Sequence, residues 1–368
     1  MAPKMLSRCI KLSGLKCHQA NILKQELLSV GGDAAVARGT VACSIPATDC
    51  ILIGTDKQLR RLCHKLAAQP FGLAALAEEL SAVLKSGTHP PHIWRTSRRD
   101  FSLERPLIMG ILNLTPDSFS DGGCYDTPEK ALERALQMEA EGADIIDIGG
   151  ESTRPGAAAV PPAEELARIM PALELLAGKL TCAISVDTWK SAVADQALHA
   201  GAEIINDISG FSFDPALAAV AARHDAGVVL MHTRSTPDRM QQDTAYTDLM
   251  HEVIESLYTS VAQAQETGIA RERIAIDPGI GFGKECSGNL EILRRLDELR
   301  TLGLPVLVGS SRKSFIGTVL GRHSSSDRLF GTAATVALAV ANGASILRVH
   351  DVRAMRDTAD MARAVMLA

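Results

Sequence analysis

Asp187, Asn206, Asp277 and Lys313 each stand at or just past the end of a short apolar run, where the chain turns to glycine, proline or hydroxyl residues. Carboxylates and an amide in such places supply acceptors and N–H donors suited to a flat heterocycle bearing several N–H and C=O groups. Lys313 could reach a ring carbonyl or a reacting amine. Arg154, Arg348 and His350 offer cationic donors for phosphate or carboxylate. Asn113, with Asp117 or Asp121 close behind it, offers oxygen ligands for Mg²⁺, which takes few protein ligands and keeps its waters. Phe119 and Phe282 could cover an aromatic substrate. One polar group at a strand end is commonly an ordinary loop or cap. Here the event recurs down the chain, and an uncompensated buried polar group costs roughly 1–3 kcal/mol, so structure alone accounts for the set poorly.

The elements that must position these groups are legible as alternation. Continuous apolar runs predict strands at 107–114, 143–148, 183–187, 203–208, 227–232, 274–278, 305–309 and 346–350. Helical periodicity falls between them at 128–141, 162–177, 190–200, 248–267 and 328–342. Runs without polar alternation suit parallel strands buried on both faces. About eight βα units in roughly 260 residues is the rhythm of a TIM (β/α)8 barrel, whose strand carboxyl ends all face one mouth. A doubly wound open sheet is the alternative, but its glycine-rich dinucleotide fingerprint is missing after the first strand.

The chain has 368 residues, 46% hydrophobic and 22% charged, enough for a barrel and a smaller unit. A net charge of −5 argues against a nucleic-acid or anionic-membrane binder. Eight cysteines are scattered without C-x-x-C or zinc spacing, residues 1–16 carry no apolar signal core, and no run spans a bilayer. The expectation is a reduced cytoplasmic protein. Residues 1–85 read as a small α/β domain: a helix over 18–30 ending at Gly31-Gly32, strands at 36–45 and 50–53, a helix from Thr55-Asp56 to Leu66, and another over 73–84. No catalytic constellation stands out in it. Residues 86–105, with Gly87, Pro90, Pro91 and a basic cluster, read as a linker before the barrel at 106–368.

Taken together, MGILNLTPDSFSDGG, DIGGESTRPGA, SVDTWK, INDISG, AIDPGIGFGK, VGSSRKSFIG and LRVHDV resemble the motifs of dihydropteroate synthases, over residues 106–368. The resemblance implies condensation of 6-hydroxymethyl-7,8-dihydropterin diphosphate with p-aminobenzoate, assisted by Mg²⁺, in a homodimer built on barrel helices. It implies a pterin pocket of Asp187, Asn206, Asp277 and Lys313, with Met231 packed on the ring, and Asn113 as metal ligand. Arg348, His350 and Thr153 match diphosphate contacts. Thr153, Arg154, Pro155, Phe282, Lys313 and Ser314 match the aminobenzoate pocket. Asp187, Lys313, Asp121 and Arg154 become the catalytic set, Asp121 with Phe119 on the first loop. Two places depart from the family pattern, Thr233-Arg234-Ser235 and the missing histidine before Asn289. A pterin-binding methyltransferase would share the barrel and the Asp/Asn pocket, but has no use for SSRKSFIG and STRPG. A silent barrel serving as a scaffold would be free to lose Lys313, Arg154 and Asn113.

Overall fold

The computed structural model describes residues 5–87, 90–115, 127–154 and 156–368. The chain divides into two compact units, Met1–His89 and Pro90–Ala368.

In the first unit, strands β1 (Ser7–Lys16), β2 (Asp33–Val36) and β3 (Ala47–Thr55) form an antiparallel sheet in the order β1-β3-β2. Helices α1 (Cys17–Ser29), α2 (Asp56–Leu66) and α3 (Leu73–Ser86) accompany it. Strand β3 alternates strictly, burying Thr48, Cys50, Leu52 and Gly54, the period of a half-buried strand. Leucines 23, 27, 52, 59, 62, 66, 73 and 80 fill the space between. Helix α2 starts where expected because Thr55 and Gln58 form a capping box: Gln58 N–H donates to Thr55 Oγ1 at 3.3 Å, and Thr55 N–H donates to Gln58 Oε1 at 2.8 Å. The strand expected over 36–45 ends at Val36. Gly39 (φ +99°) and Cys43 (φ +50°) are left-handed, which no extended strand accommodates. Strand β1 was not anticipated, since Gly14 interrupts its alternation, and the pairing with β3 shifts register between Leu12 and Leu15.

The second unit opens with a hairpin in what reads as a linker. β4 (Ile93–Arg95) pairs antiparallel with β5 (Asp100–Ser102). Trp94 is fully buried against Leu107, Met109, Ile145, Ile204, Val229 and Ile346, and its indole N–H donates to the Arg273 carbonyl at 3.0 Å. Arg99 and Thr96 both donate to the buried Glu203 carboxylate, at 2.9 and 2.8 Å. Three-residue strands carry too little periodicity to be read from sequence. Burial of one large side chain and one ion pair is what fixes them.

Eight parallel strands follow: β6 (Leu107–Asn113), β7 (Ile145–Gly149), β8 (Ala183–Asp187), β9 (Ile204–Asp207), β10 (Gly227–Met231), β11 (Ile274–Asp277), β12 (Leu307–Val308) and β13 (Ile346–Val349). Their order is β11-β10-β9-β8-β7-β6-β13-β12, and a parallel bridge between Ile276 and Val306 joins the two edges. This is a TIM barrel. Helices α4 (Pro128–Ala140), α5 (Pro162–Ala177), α6 (Ser191–His199), α7 (Ala216–Arg223), α8 (Leu249–Glu266), α9 (Cys286–Arg294), α10 (Ser314–Leu320), α11 (Leu329–Ala341) and α12 (Val352–Leu367) surround it. Among the described residues, no helix is long and apolar enough to cross a membrane.

Candidate active site at the carboxyl ends of the barrel strands

Register sets the geometry. Asn113 pairs with Gly149, Gly149 with Asp187, and Asp187 with Asn206, so one row crosses four adjacent strands at a single height. Met231 and Asp277 are likewise partners on β10 and β11. Gly149 leaves room in the row: a Cβ there would come within 3.4 Å of Asn113 Oδ1 and 3.8 Å of Asp187 Cβ.

Arg348, near the end of β13, reaches across the barrel. Its Nε donates to Asp147 Oδ2 at 2.6 Å and its Nη2 to Asp187 Oδ2 at 2.7 Å. Asn206 Nδ2 donates to the same Asp147 oxygen at 3.1 Å. The other oxygen, Asp147 Oδ1, is buried without a hydrogen-bond partner among the described residues. Burial pushes the Asp187 carboxyl up, with Asp147 adding to the rise, while Arg348 opposes it. Burial works to lower Arg348, yet Asp147 and Asp187 hold it above the ordinary guanidinium value. The expected phosphate contact is thus already a clamp on two carboxylates.

The loop after β11 is built by a second buried cation. Lys284 Nζ donates to the carbonyls of Gly279 and Phe282 and to Nδ1 of His232, each at 3.0 Å. His232 therefore accepts at Nδ1, and burial together with the Lys284 charge holds its pKa down at about 2. Lys284 itself is lowered to about 7, chiefly by burial. Asp277 Oδ1 receives the Gly279 N–H at 2.7 Å, and Asn289 Oδ1 receives that of Gly281 at 2.6 Å. Gly279 (φ +70°) cannot carry a side chain, since a Cβ would lie 2.0 Å from the His232 carbonyl oxygen. The loop places the Phe282 ring 4.4 Å from Lys313 Nζ, which also donates to the Ile280 carbonyl. Burial, then the Arg348 charge, lowers Lys313 to about 8, against the pull of Asp277 and Asp187.

His350 differs from expectation. Its Nδ1 lies 2.9 Å from Ser311 Oγ, and burial, Arg312 and Arg348 depress it to about 3. It is a neutral imidazole at neutral pH, a hydrogen-bonding group and not the cation the sequence suggested. The positive charge of Arg154 contributes to that depression, which ties the loop after β7 to the same mouth. On that loop Thr153 is half-buried and Arg154 exposed. Ser314 is the exposed first residue of α10. Asp117, Phe119, Asp121 and Pro155 lie outside the described residues.

The two departures from the family pattern are structurally absorbed. Arg234 donates to Asp243 at 2.9 Å, to the Ala245 carbonyl at 2.6 Å and to Glu252, and lies 3.7 Å over the Tyr246 ring. Asn289 keeps its hold on the β11 loop without a preceding histidine. Sequence reasoning gave no role to Asp147 or Lys284, although both stand at strand ends or in a quoted motif. The unused signal was a charge inside an apolar run in the first case and inside a glycine-rich loop in the second.

The pterin-binding enzyme family matches residues 109–350, the length of this barrel from its first strand to His350. The chain belongs to the dihydropteroate synthase family of pterin-binding enzymes. A dihydropteroate synthase of Synechocystis is 49% identical over 262 residues, covering 71% of this chain and 91% of the relative. A probable bifunctional folylpolyglutamate synthase/dihydropteroate synthase of Halobacterium salinarum is 45% identical over 352 residues, covering 96% of this chain. That second match takes in the N-terminal unit, and the chain spans only 42% of that relative's length. A solved dihydropteroate synthase of Xanthomonas albilineans with 4-aminobenzoic acid superimposes with a TM-score of 0.70 at 42% identity, over 75% of this chain and 99% of that one. Dihydropteroate synthases are alkyl-group transferases of folate synthesis, and the site described above is the one the family model spans.

Proposed function

We propose that the barrel condenses 6-hydroxymethyl-7,8-dihydropterin diphosphate with p-aminobenzoate to give 7,8-dihydropteroate and pyrophosphate. The row Asn113–Gly149–Asp187–Asn206, clamped from across the barrel by Arg348, carries this reading. It presents carboxylate and amide edges to a planar ring whose face would rest on Met231. Asp187 and the unpaired Asp147 oxygen offer acceptors for ring N–H groups. In the reaction the methylene C–O bond breaks, its electron pair leaving with pyrophosphate. The aminobenzoate nitrogen then forms the new C–N bond and releases a proton. Positive charge building on the methylene is met by carboxylates already held in place, so no reorganisation is needed at that moment. Neutral His350, with Thr153 and Arg348, holds the leaving group. Lys313 and Phe282 flank the aminobenzoate, with Arg154 near its carboxylate.

Asn113 fits a hard cation. It ends β6, half-buried, with only Gly149 between it and Asp187 in the row, and Mg²⁺ prefers one or two protein oxygens and its own water. Bound there, Mg²⁺ would neutralise charge on the leaving diphosphate.

Two further proposals accompany this reading. A homodimer is supported by exposed apolar side chains on α11 and α12, among them Phe330 (85% exposed) and Met361 (65%), which a lone soluble chain has no use for. Phe330→Glu should yield a monomer by sedimentation. Cytoplasmic residence is supported by the described cysteines, all free thiols. The deciding experiment for the activity is product formation by the purified chain with Mg²⁺ and both substrates. Product must vanish when any one is withheld, and absence of product with all three refutes the assignment.

A further inference from the structure

We propose that Lys190 and Glu151 form a latch that positions the aminobenzoate-binding loop after β7, a role resting on the function proposed above. Lys190 stands three residues beyond Asp187, at the start of α6, and its side chain is 6% exposed. Its ammonium donates to Glu151 Oε2 at 2.8 Å, to the Val160 carbonyl at 2.6 Å and to Glu165. Glu151 Oε1 in turn accepts the Val160 N–H at 2.8 Å. Both backbone groups of Val160 are therefore held by one buried ion pair. Glu151 opens the loop and Val160 closes it, so the latch cinches the neck of the segment carrying Thr153 and Arg154. The Gly156 N–H, farther out, donates to the Pro237 carbonyl at 3.0 Å.

The contacts join only Glu151, Val160, Glu165 and Lys190, none of them a residue assigned to a substrate above, so Lys190 and Glu151 are positioning residues. The arrangement couples the two substrate sites: one short turn, 187–190, carries the pterin-facing carboxylate at one end and the loop anchor at the other. A fold-only role would need the carboxylates paired, but not Val160 gripped at both its N–H and its C=O.

The test uses Glu151→Ala, which leaves the Lys190–Glu165 pair and releases the Val160 N–H, and Glu151→Gln, whose amide oxygen can accept the Val160 N–H but whose amide nitrogen cannot accept from the Lys190 ammonium. In Glu151→Ala, KM for aminobenzoate should rise about tenfold or more while KM for the pterin diphosphate stays within about twofold. Amide exchange at Val160 should accelerate. Glu151→Gln, keeping one of the two bonds, should fall between the parent and Glu151→Ala in both readouts. Where Glu151→Ala does not fold, Glu151→Asp, too short to reach Val160, replaces it with the same expected split. An unchanged aminobenzoate KM, or equal rises for both substrates, overturns the latch. If the unmodified chain makes no dihydropteroate, the function fails, while the Val160 exchange comparison still decides whether the latch exists.

Discussion

Arg348→Met removes the cation that bridges Asp147 and Asp187. The two carboxylate side chains are 0% and 7% exposed, so neither can recover the lost interaction from water. Leaving a buried charge without its partner costs about 3–5 kcal/mol. For a barrel of this size each kcal/mol moves Tm by roughly 2–4 °C, giving a loss of roughly 6–20 °C. The loss must depend on pH, with a definite sign. Burial already raises Asp187 above its unfolded value, and Arg348 is the influence holding it down. Without the arginine its folded pKa climbs further. A group raised in the folded state contributes stability that is complete below its unfolded pKa and drains away as pH rises through the folded one. The variant's deficit should therefore be small near about pH 4.5 and largest near about pH 8. Asp147→Asn added to Arg348→Met removes one of the two like charges and should return about half of the deficit. Both tryptophans, Trp94 and Trp189, lie in the barrel unit, so tryptophan fluorescence follows its unfolding without interference from the N-terminal unit. A deficit independent of pH, or one larger in acid, would refute the clamp.

Lys313→Met should raise the fluorescence-detected Tm at neutral pH while lowering kcat/KM at least about a hundredfold. Its folded pKa, lowered to about 8, makes the lysine a cost that shrinks as pH rises from there toward 10.5, so the variant's gain should fade over that window. Asn113→Ala should raise the Mg²⁺ concentration for half-maximal turnover about tenfold, with KM for aminobenzoate within about twofold of the parent; no change in the Mg²⁺ titration removes Asn113 as the ligand. A chain beginning at Pro90 should fold and turn over, whereas one beginning at Arg99 lacks Trp94 and should lose roughly 3–5 kcal/mol of barrel stability, measured by thermal melts. Equal stability of the two would mean that the hairpin is ornamental.

The separation of what could be read in advance from what could not follows sequence distance. Each barrel strand was visible because burial on both faces writes an unbroken apolar run, and Asp187, Asn206 and Asp277 were visible because a polar group ends that run. Strand register then had little freedom. Shifting β8 by one residue would turn Asp187 out of the mouth and an apolar neighbour into it. So the row of Asn113, Asp187 and Asn206 is already implicit in eight local patterns. What was not legible are the pairings. Arg348 meets Asp187 across 161 residues of chain and Asp147 across 201. No local pattern distinguishes an arginine that only awaits phosphate from one that also clamps two carboxylates. The same holds for His350, whose neutrality is set first by burial and by Arg312, from a separate loop, with Arg348 of its own motif adding to it. The hairpin at 93–102 failed for the opposite reason: its strands are too short to have a period, and Trp94 is identified as a plug only by the barrel base it fills. A barrel of this kind therefore shows its catalytic inventory in the sequence, but its charge balance only in three dimensions. In the function proposed above Arg154, exposed on its loop, meets the aminobenzoate carboxylate, while Arg348 clamps Asp147 and Asp187. Arg154→Ala should accordingly raise KM for aminobenzoate without altering the pH dependence of barrel stability that Arg348 controls.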